Sequence, residues 1–188
     1  VFEVSYLVDV FEKCLFDTIY HEHLDYHSVG PLVPFFERAN MQLIHVSRVG
    51  SHGGSIRGVA QLRGGRRPVD VSVAALSGAE REIGLDRKEA FAEFGARIDR
   101  LGAELRELLG GLKSTGKIIG GFGAPAKATT LMYHFGIGAD IIDFVIDDSP
   151  QKQGLFTPGM HIPVVPASEI ATRRRPWPLM RGYARRLN

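Results

Sequence analysis

The feature that most constrains the fold is a glycine-rich turn between an apolar segment and a helical one. The apolar segment Lys117–Gly121 runs into Gly-Phe-Gly-Ala-Pro-Ala, and Lys127–Phe135 has the composition of a helix. A second apolar segment, Ile141–Ile146, ends in Asp147, and a third, Ile162–Val165, follows a Gly/Pro loop. Strands that alternate with a helix in this order form a parallel β-α-β unit. The sequence therefore predicts an α/β fold.

The same turn fits the Gly-x-Gly-x-x-Ala pattern of nucleotide-binding loops, in which backbone amides at the start of a helix hold a phosphate. Asp147 stands at the end of the next strand, where such folds place an acidic residue. A P-loop ATPase is not predicted, because positions 126 and 128 are both Ala, and Pro125 lacks an amide donor. Two interpretations stay open: a nucleotide site, or glycines needed only for close packing of strand and helix.

The first half of the chain predicts further strands and helices. Residues 70–113 are predicted to be helical, with Phe91, Phe94, Ile98, Leu101, Leu105, Leu108 and Leu109 on one face. Strands are predicted at 1–4 and 16–20, around a helical stretch near 5–12. A helix capped by Ser28 is predicted from about Pro31 to Ala39. Two more strands, Met41–Val49 and Ser55–Leu62, are followed by a predicted loop at Arg63–Pro68.

The densest group of reactive side chains is Tyr20-His21-Glu22-His23-Leu24-Asp25-Tyr26-His27, after the predicted strand at 16–20. Reactive groups of α/β folds often lie where a strand ends and a loop begins. A histidine accepts a proton near neutral pH, a carboxylate orients its ring, and a tyrosine hydroxyl stabilises a developing oxyanion. This set of groups suits removal of a proton from a carbon beside a carbonyl group.

Two other interpretations of this cluster stay open. His21 and His23 would point the same way on a strand, and His23 and His27 would share one face of a helix, as metal ligands can. The zinc-protease pattern His-Glu-x-x-His is not met, because Asp25 stands where the second histidine belongs. Metal binding is therefore the less favoured interpretation, and no residue is predicted to be a metal ligand. The remaining interpretation is a hydrogen-bonded cluster with a structural role.

A third group, Ser51-His52-Gly53-Gly54-Ser55, is predicted to be the turn between two strands. His52 either lines a site or simply belongs to that turn. The single cysteine, Cys14, excludes an internal disulfide and a cysteine-based zinc site, and we expect it to be a buried apolar residue.

Composition and charge exclude several classes of protein. The chain has 188 residues, of which 44% are hydrophobic and 23% charged, as in ordinary globular proteins. Residues 171–188 hold six arginines and no acidic residue, so the rest of the chain carries a net charge of −4 and a nucleic-acid-binding face is not predicted. No apolar run approaches the roughly 18 residues of a membrane-spanning helix, and no secretory signal is visible. The expected location is the cytoplasm, without membrane association.

Three motifs, in the right order and spacing, resemble the C-terminal part of SAM-dependent sugar C-methyltransferases. They are Phe16-Asp17-Thr18-Ile19-Tyr20-His21-Glu22-His23, Ser51-His52-Gly53-Gly54-Ser55-Ile56-Arg57 and Gly121-Phe-Gly-Ala-Pro-Ala-Lys127. Asp147–Gly154 and Pro158–Pro163 continue the resemblance, which covers roughly residues 1–170. These enzymes methylate a carbon of a nucleotide-linked 4-keto-deoxysugar.

The resemblance implies three parts: a zinc-binding module, a central SAM-binding domain and a C-terminal Rossmann-like domain. It assigns residues 1–62 to the last part of the SAM-dependent methyltransferase domain, 63–116 to a helical connector and 117–188 to the Rossmann-like domain. The zinc cysteines and the first Gly-rich loop of the SAM domain have no counterpart here. The chain is therefore expected to be a truncated form, inactive alone, with zinc and most of the S-adenosylmethionine site outside it.

The resemblance also implies roles for individual residues. His23 would take the proton from the sugar carbon beside the ketone, Tyr20 would position the substrate or stabilise the enolate, and Glu22 would orient His23. The glycine-rich loop would anchor the nucleotide-linked sugar, with Lys127 and Lys152 as phosphate contacts by charge. The substrate-binding residues implied are Gly121, Gly123, Ala124, Pro125, Lys127, Asp147, Lys152 and His52.

Two functions of other classes remain as alternatives. One is a non-catalytic nucleotide-sugar-binding module, and the other is an NAD(P)-binding oxidoreductase domain, which only the Gly-x-Gly-x-x-Ala turn favours. The arginine-rich end, Ala171–Asn188, departs from the family pattern and is interpreted either as a frameshifted end or as a basic terminus. The sequence leaves open the nucleotide, the sugar, the methylated carbon and the oligomeric state.

Overall fold

The computed structural model of the protein describes residues 1–172, which form two compact units. Of the described residues, unit 1 comprises Val1–Leu15 and His23–Ala96, and unit 2 comprises Phe16–Glu22 and residues 97–172. Each unit contains its own three-stranded sheet. No helix within residues 1–172 is long and apolar enough to cross a membrane. The predictions for the arginine-rich end fall, from position 173 on, outside the described residues.

The sheet of unit 1 is antiparallel, with strand order β1-β3-β2. Its strands are β1 (Phe2–Ser5), β2 (Met41–Val49) and β3 (Ser55–Leu62). The predicted strands at 41–49 and 55–62, the turn between them and the loop at 63–68 are confirmed. The helices α1 (Leu7–Lys13), α2 (Val29–Arg38) and α3 (Val71–Ile83) complete the unit. Its core is formed by the buried side chains of Tyr6, Val8, Val29, Leu43, Val46, Ile56 and Val73.

Helix α2 is capped by a residue that lies far away in the sequence. Ser28 occupies the N-cap position, as predicted, but its side chain makes no capping hydrogen bond. The buried Glu80 carboxylate of α3 instead accepts hydrogen bonds from the amides of Val29 (2.6 Å) and Gly30 (2.8 Å). With these orphan amides satisfied, the helix begins at Val29, earlier than the predicted start near Pro31.

The same carboxylate accepts a hydrogen bond of 2.9 Å from the hydroxyl of Tyr6, which is 1% exposed. Burial, together with the negative charge of Glu80, raises the pKa of Tyr6 well above its ordinary value. The phenol therefore stays protonated and remains a donor at neutral pH. Glu80 thus joins α3 to the start of α2 and to the end of β1.

Unit 2 contains the predicted parallel β-α-β arrangement. Its strands β4 (Gly120–Phe122), β5 (Phe144–Ile146) and β6 (Val164–Val165) lie side by side and parallel, with α5 (Ala126–Phe135) between β4 and β5 in the sequence. The strands are shorter than predicted. Ile141 and Ile142 turn back to hydrogen-bond the Gly138 carbonyl, so β5 is restricted to the last residues of its apolar segment.

Residues 70–113, which were predicted to be helical, form two helices, α3 and α4 (Lys88–Ser114), and the break between them at residues 84–87 was not predicted. Gly84 ends α3 in a left-handed conformation with φ 85°, which glycine adopts without steric cost. Ile98, Leu105 and Leu109 of α4 are buried, as the periodicity predicted. Phe91 and Leu108, expected on the same apolar face, are each about half exposed. The last described element is α6 (Glu169–Thr172).

The predicted strand at 16–20 is also wrong. Residues Phe16–Thr18 form a short 3₁₀ helix, and the Ile19 amide donates to the Phe16 carbonyl at 2.9 Å. The alternation of Phe16, Thr18 and Tyr20 resembles a strand, but contacts with α5 within unit 2 determine the conformation. The Phe16 ring packs against Phe135, with the ring centroids 5.0 Å apart.

We predict that Glu80→Ala lowers the free energy of unfolding of the protein by roughly 3 kcal/mol or more, because it leaves two buried donors and the part-buried Gly30 amide without an acceptor. Exposed Glu82 on the same helix offers the matched control, and Glu82→Ala should stay within about 0.5 kcal/mol of wild type. Urea unfolding measures both. Equal effects of the two substitutions would contradict the capping role.

Candidate active site

The predicted catalytic segment and the helix that follows the glycine-rich loop meet within unit 2. The ammonium of Lys127, in the first turn of α5, forms an ion pair with Asp17 at 2.9 Å. The Thr130 hydroxyl donates to the Ile19 carbonyl at 3.4 Å. Together with the packing of Phe16 on Phe135, these contacts fix Phe16–Glu22 along α5. Lys127, expected to contact a phosphate, thus has a carboxylate partner in this structure.

Tyr20 and Glu22 are brought together by a hydrogen bond in which the Tyr20 hydroxyl donates to Glu22 Oε2 at 2.8 Å. The His21 ring stands edge-on to the Tyr20 ring, with centroids 5.5 Å apart, and His21 Nε2 lies 3.9 Å from Glu22 Oε1. Tyr20 is half-buried, while Glu22 and His21 are exposed. The predicted orientation of His23 by Glu22 stays a prediction, since the hydrogen bond shown for Glu22 comes from Tyr20.

His23 begins the second segment of unit 1 and is half-buried. The chain that follows it reaches the carboxyl end of β1, where Tyr6 and His27 form a parallel bridge and the Leu7 amide donates to the His27 carbonyl at 2.8 Å. On the opposite side of Tyr6, its amide donates to the Gly54 carbonyl at 3.2 Å. Within unit 1, the carboxyl end of β1 therefore lies between the segment from His23 to His27 and the turn that contains His52.

The turn at Ser51–Ser55 rests on a network of charged side chains that sequence reasoning missed. Buried Asp9 of α1 binds the Arg48 guanidinium through both oxygens (3.0 and 2.8 Å) and the Lys13 ammonium at 2.8 Å. Burial alone would raise the pKa of Asp9, but the hydrogen bonds from Arg48 and Lys13 outweigh it and hold the pKa below its ordinary value. Lys13 also donates to the Gly53 carbonyl, which joins the turn to α1.

Gly54 in this turn is required by both backbone and space. Its φ is +144°, which L-residues rarely adopt, and a Cβ atom there would lie 2.0 Å from Asp9 Cγ. The close approach of α1 therefore explains Gly54, and the φ of +87° explains the glycine at position 53. The His52 side chain, by contrast, is exposed at the tip of the turn.

The glycine-rich loop has most of its early amides already engaged. The Gly123 amide donates to the Ile146 carbonyl at 2.6 Å, and the Ala124 amide donates to Asp147 Oδ2 at 2.7 Å. Pro125 has no N–H. The loop residues Gly123, Ala124 and Pro125, all predicted to bind substrate, are thus held by the ends of the neighbouring strands, and Gly121 lies within β4.

Asp147 organises this loop. Besides Ala124, it accepts the Ser149 amide at 2.9 Å and binds the Lys152 ammonium at 3.2 Å. Lys152 in turn donates to the Ala124 carbonyl at 3.0 Å. The Ala124 and Ser149 amides, with Lys152 adding to them, hold the pKa of Asp147 below its ordinary value. Its carboxylate is therefore charged at neutral pH and committed to the loop.

A small, shallow pocket lies under the loop, between α5 and β5. Its walls are mainly apolar, and the polar groups at its edge are threonine hydroxyls. The lining residues are Gly123, Ala124, Pro125, Ala128, Thr129, Met132, Val145, Thr157 and Pro158. The pocket opens at the carboxyl ends of parallel strands, where open α/β sheets bind ligands. Three of the predicted substrate-binding residues therefore line one concave surface of unit 2.

The histidine-rich cluster does not assemble a metal centre in residues 1–172, where no three His, Cys, Asp or Glu side chains are placed to hold an ion. Cys14, expected to be buried and apolar in character, is buried. Asp9 and Glu80 were not singled out by the sequence analysis. The sequence signal that could have found Asp9 is its position between Val8 and Val10 on a short apolar helix.

Comparison with known proteins finds a family profile whose match spans the turn at 51–55 and the parallel β-α-β unit described above. The profile of the C-methyltransferase C-terminal domain family matches residues 50–180, so it includes the turn at 51–55, the glycine-rich loop and Asp147. Tyr20, Glu22 and His23 precede that match. C-methyltransferase NovU of Streptomyces niveus is 37% identical over 162 residues, which are 86% of this chain and 39% of NovU.

The mixed α/β fold and the matched profile define the class of protein: this chain belongs to the C-methyltransferase C-terminal domain family. It spans about two fifths of the length of the curated relative that it matches. The family resemblance predicted from the three motifs is confirmed.

We predict that Gly54→Ala destabilises unit 1 by about 3 kcal/mol or more, because the added methyl group collides with Asp9 on a backbone that disfavours it. Gly50 at the other end of the turn is the matched control. Nothing lies within 4 Å of a Cβ there, so Gly50→Ala should cost less than about 1 kcal/mol. Thermal unfolding followed by circular dichroism would refute the steric argument if the two variants behaved alike.

We also predict that Asp147→Asn speeds hydrogen exchange of the Ala124 and Ser149 amides at least tenfold, because a charge-assisted acceptor is lost. Adjacent, exposed Asp148→Asn should leave both amides unchanged. In the wild type, the lowered pKa means that the stabilisation persists from neutral pH down to about pH 4 and is lost only below it. A loss of protection near pH 6, or with Asp148→Asn, would count against this role.

Proposed function

We propose that this chain is part of an enzyme that transfers a methyl group to the carbon beside the ketone of a nucleotide-linked keto-deoxysugar. The observation that carries the proposal is the hydrogen-bonded pair of Tyr20 and Glu22, directly before His23, in a chain of the C-methyltransferase family. The phenol, carboxylate and imidazole at positions 20, 22 and 23 supply the groups that deprotonation beside a carbonyl requires.

His23 acts as the general base in this proposal. Its imidazole nitrogen accepts the proton from the sugar carbon, and the electron pair of the broken C–H bond moves toward the ketone oxygen. The resulting enolate carbon is the nucleophile in methyl transfer. His23 is half-buried, so its ring combines access to a ligand with partial shielding from water.

Tyr20 stabilises the enolate by exchanging its hydrogen-bond partner. A phenol has one O–H, and in the structure that proton is donated to Glu22. When the ketone oxygen gains negative charge, the Tyr20 hydroxyl donates to it instead. The Glu22 carboxylate is then available to accept an N–H from the His23 imidazolium. Tyr20 thereby stabilises the enolate, and Glu22 orients His23.

The methyltransferase family implies S-adenosylmethionine, which supplies the methyl group when bound. Residues 1–172 do not fit this cofactor at their glycine-rich strand-to-helix turn. There the Gly123 and Ala124 amides are engaged, and the Asp147 carboxylate is held by Ser149 and Lys152. The binding site for S-adenosylmethionine and the zinc-binding module therefore stay predictions.

The nucleotide-linked sugar is proposed to bind at the pocket of unit 2. The apolar walls around Met132 and Val145 suit an uncharged, flat or deoxygenated group, and the Thr129 hydroxyl adds a polar contact. Lys127 and Lys152 are each about half exposed, so their ammonium groups can turn toward a phosphate while they remain near their carboxylate partners. The non-catalytic alternative shares this site but gives His23 no chemical role.

The engagement of Asp147 disfavours the oxidoreductase alternative, since a dinucleotide-binding loop needs that carboxylate for a ribose hydroxyl. The assignment of residues 1–62, 63–116 and 117–188 to a methyltransferase remainder, a connector and a Rossmann-like domain is part of the proposal. The sheet of unit 1 is antiparallel and that of unit 2 is parallel, which supports the assignment of the first and last of these segments to two different domains.

In the complete protein that carries this chain, His23→Ala should lower kcat for methyl transfer by about 10²–10⁴-fold, the usual contribution of a general base. Binding of S-adenosylmethionine, measured by calorimetry, should stay unchanged. Exposed His45 of β2, which pairs with Asp70, is the matched histidine control, and His45→Ala should keep wild-type turnover. Full activity of His23→Ala would exclude it as the base, and absence of methyl transfer by the wild type would exclude the function.

A further inference from the structure

The loop that follows β3 in unit 1 is held in one position although none of its side chains is buried. Every residue from 62 to 71 is exposed. The side-chain amide of Gln61 donates to the Arg67 carbonyl at 2.7 Å, and its oxygen accepts a hydrogen bond of 3.3 Å from the Arg67 amide. One glutamine side chain therefore pairs both backbone groups of a residue six positions later, and the loop keeps its shape without contributing to the core.

Glycine in the loop makes this contact possible. A Cβ atom on Gly65 would lie 2.3 Å from the Oε1 atom of Gln61, and the φ of Gly64 is +80°. The Arg63 amide donates to the Asn40 carbonyl at 3.0 Å, directly after α2. The loop is thus fixed beside the last turn of α2.

Four exposed arginines form what we call the basic patch of unit 1: Arg38 in the last turn of α2, and Arg63, Arg66 and Arg67 in the loop. Within residues 1–172, none of their guanidinium groups takes part in a hydrogen bond or an ion pair. Two carboxylates, Glu37 and Asp70, are close to them in the sequence. Asp70 is engaged by the Ser72 amide at 2.8 Å, where it caps α3. The patch therefore keeps a surplus of positive charge that the described chain does not neutralise.

Exposed apolar side chains accompany these arginines. Leu62, directly before Arg63, is 68% exposed, and Val69 and Val71, directly after the loop, are 46% and 78% exposed. Arginines beside apolar side chains are typical of protein–protein interfaces, whereas attachment to a nucleic-acid backbone depends on charge spread over a broad basic face. Residues 1–170 carry a net charge of −4, so the patch is not part of such a face. Its chemistry favours a protein partner.

We propose that the basic patch is a docking surface for a segment of a partner protein that presents carboxylate side chains next to apolar ones. A planar guanidinium group binds a carboxylate through two parallel N–H groups. The side chains of Leu62, Val69 and Val71 supply the apolar contacts. Because Gln61 fixes the loop before the partner arrives, less conformational entropy is lost on binding. The surface lies within unit 1 and does not depend on the proposed catalytic function.

The probe that tests this proposal is a synthetic helical peptide built from Glu, Leu and Ala. Its dissociation constant with the complete protein is measured by fluorescence anisotropy at low salt, where screening is weak. The wild type should bind it with a Kd below about 1 mM. The triple variant Arg63→Gln/Arg66→Gln/Arg67→Gln should raise Kd at least about tenfold, because charge-assisted contacts to carboxylates are lost.

Two further variants separate a fixed docking surface from general charge attraction. Arg81→Gln/Arg87→Gln/Arg100→Gln removes the same charge at other exposed positions and should leave Kd within about twofold of wild type. Gln61→Ala keeps every charge but frees the loop, so it should raise Kd at least about threefold and speed hydrogen exchange of the Arg67 amide. Both triple variants should keep the wild-type melting temperature, since all six side chains are exposed.

Four results would each overturn the proposal. The first is absence of binding of the glutamate peptide to the wild type. The second is an equal loss of affinity in the two triple variants, or an unchanged Kd in Gln61→Ala, since the attraction would then not depend on this loop. The third is equally tight binding of the same peptide with Gln in place of Glu. The fourth is tighter binding of a short DNA duplex than of the glutamate peptide, which would assign the patch to nucleic acid.

Discussion

The arrangement of unit 1 depends on one buried tyrosine. The hydroxyl of Tyr6 binds Glu80 of α3, its amide binds the Gly54 carbonyl, and its backbone forms a bridge with His27. The Arg48 guanidinium lies over its ring, 5.7 Å from the centroid. Every chain segment proposed to carry chemistry in unit 1 is therefore attached, directly or through one neighbour, to this residue. Because a buried group is costly to leave unpaired, these segments are fixed together.

Asp147 has the corresponding role in unit 2. Its pattern, a carboxylate at the end of a strand after a glycine-rich turn, is the one by which dinucleotide-binding proteins hold a ribose. Here the carboxylate faces inward and binds two backbone amides and Lys152. One sequence pattern thus serves two different uses, and the direction of the side chain distinguishes them. In this protein the pattern shapes the loop over the pocket.

The sequence was sufficient where structure follows from local chemistry. Hydrophobic alternation and glycine placed the hairpin at 41–62 and the parallel β-α-β unit correctly. It failed at 16–20, where contacts with α5 outweigh an alternating pattern, and at Gly84, whose left-handed conformation divides a long helical segment. Among the candidate site residues, Tyr20 and Glu22 were singled out, but the hydrogen bond between them was not predicted, because Glu22 was expected to orient His23. Glu80 binds the Val29 amide, which lies 51 residues away, and Asp147 binds the Ala124 amide, which lies 23 residues away, so no local pattern could predict these two contacts.

The capping of α2 by Glu80 has a consequence for the order in which the protein forms. The carboxylate lies 51 residues after the Val29 amide that it binds, so the chain must be synthesised through α3 before α2 has an acceptor for its first amides. Until then, helix formation at Val29 leaves those groups to water, and nucleation is unfavourable. While the nascent chain still ends before Glu80, unit 1 lacks a completed α2. Translation of α3 therefore marks the earliest point at which the start of α2 can be capped as it is in the folded unit.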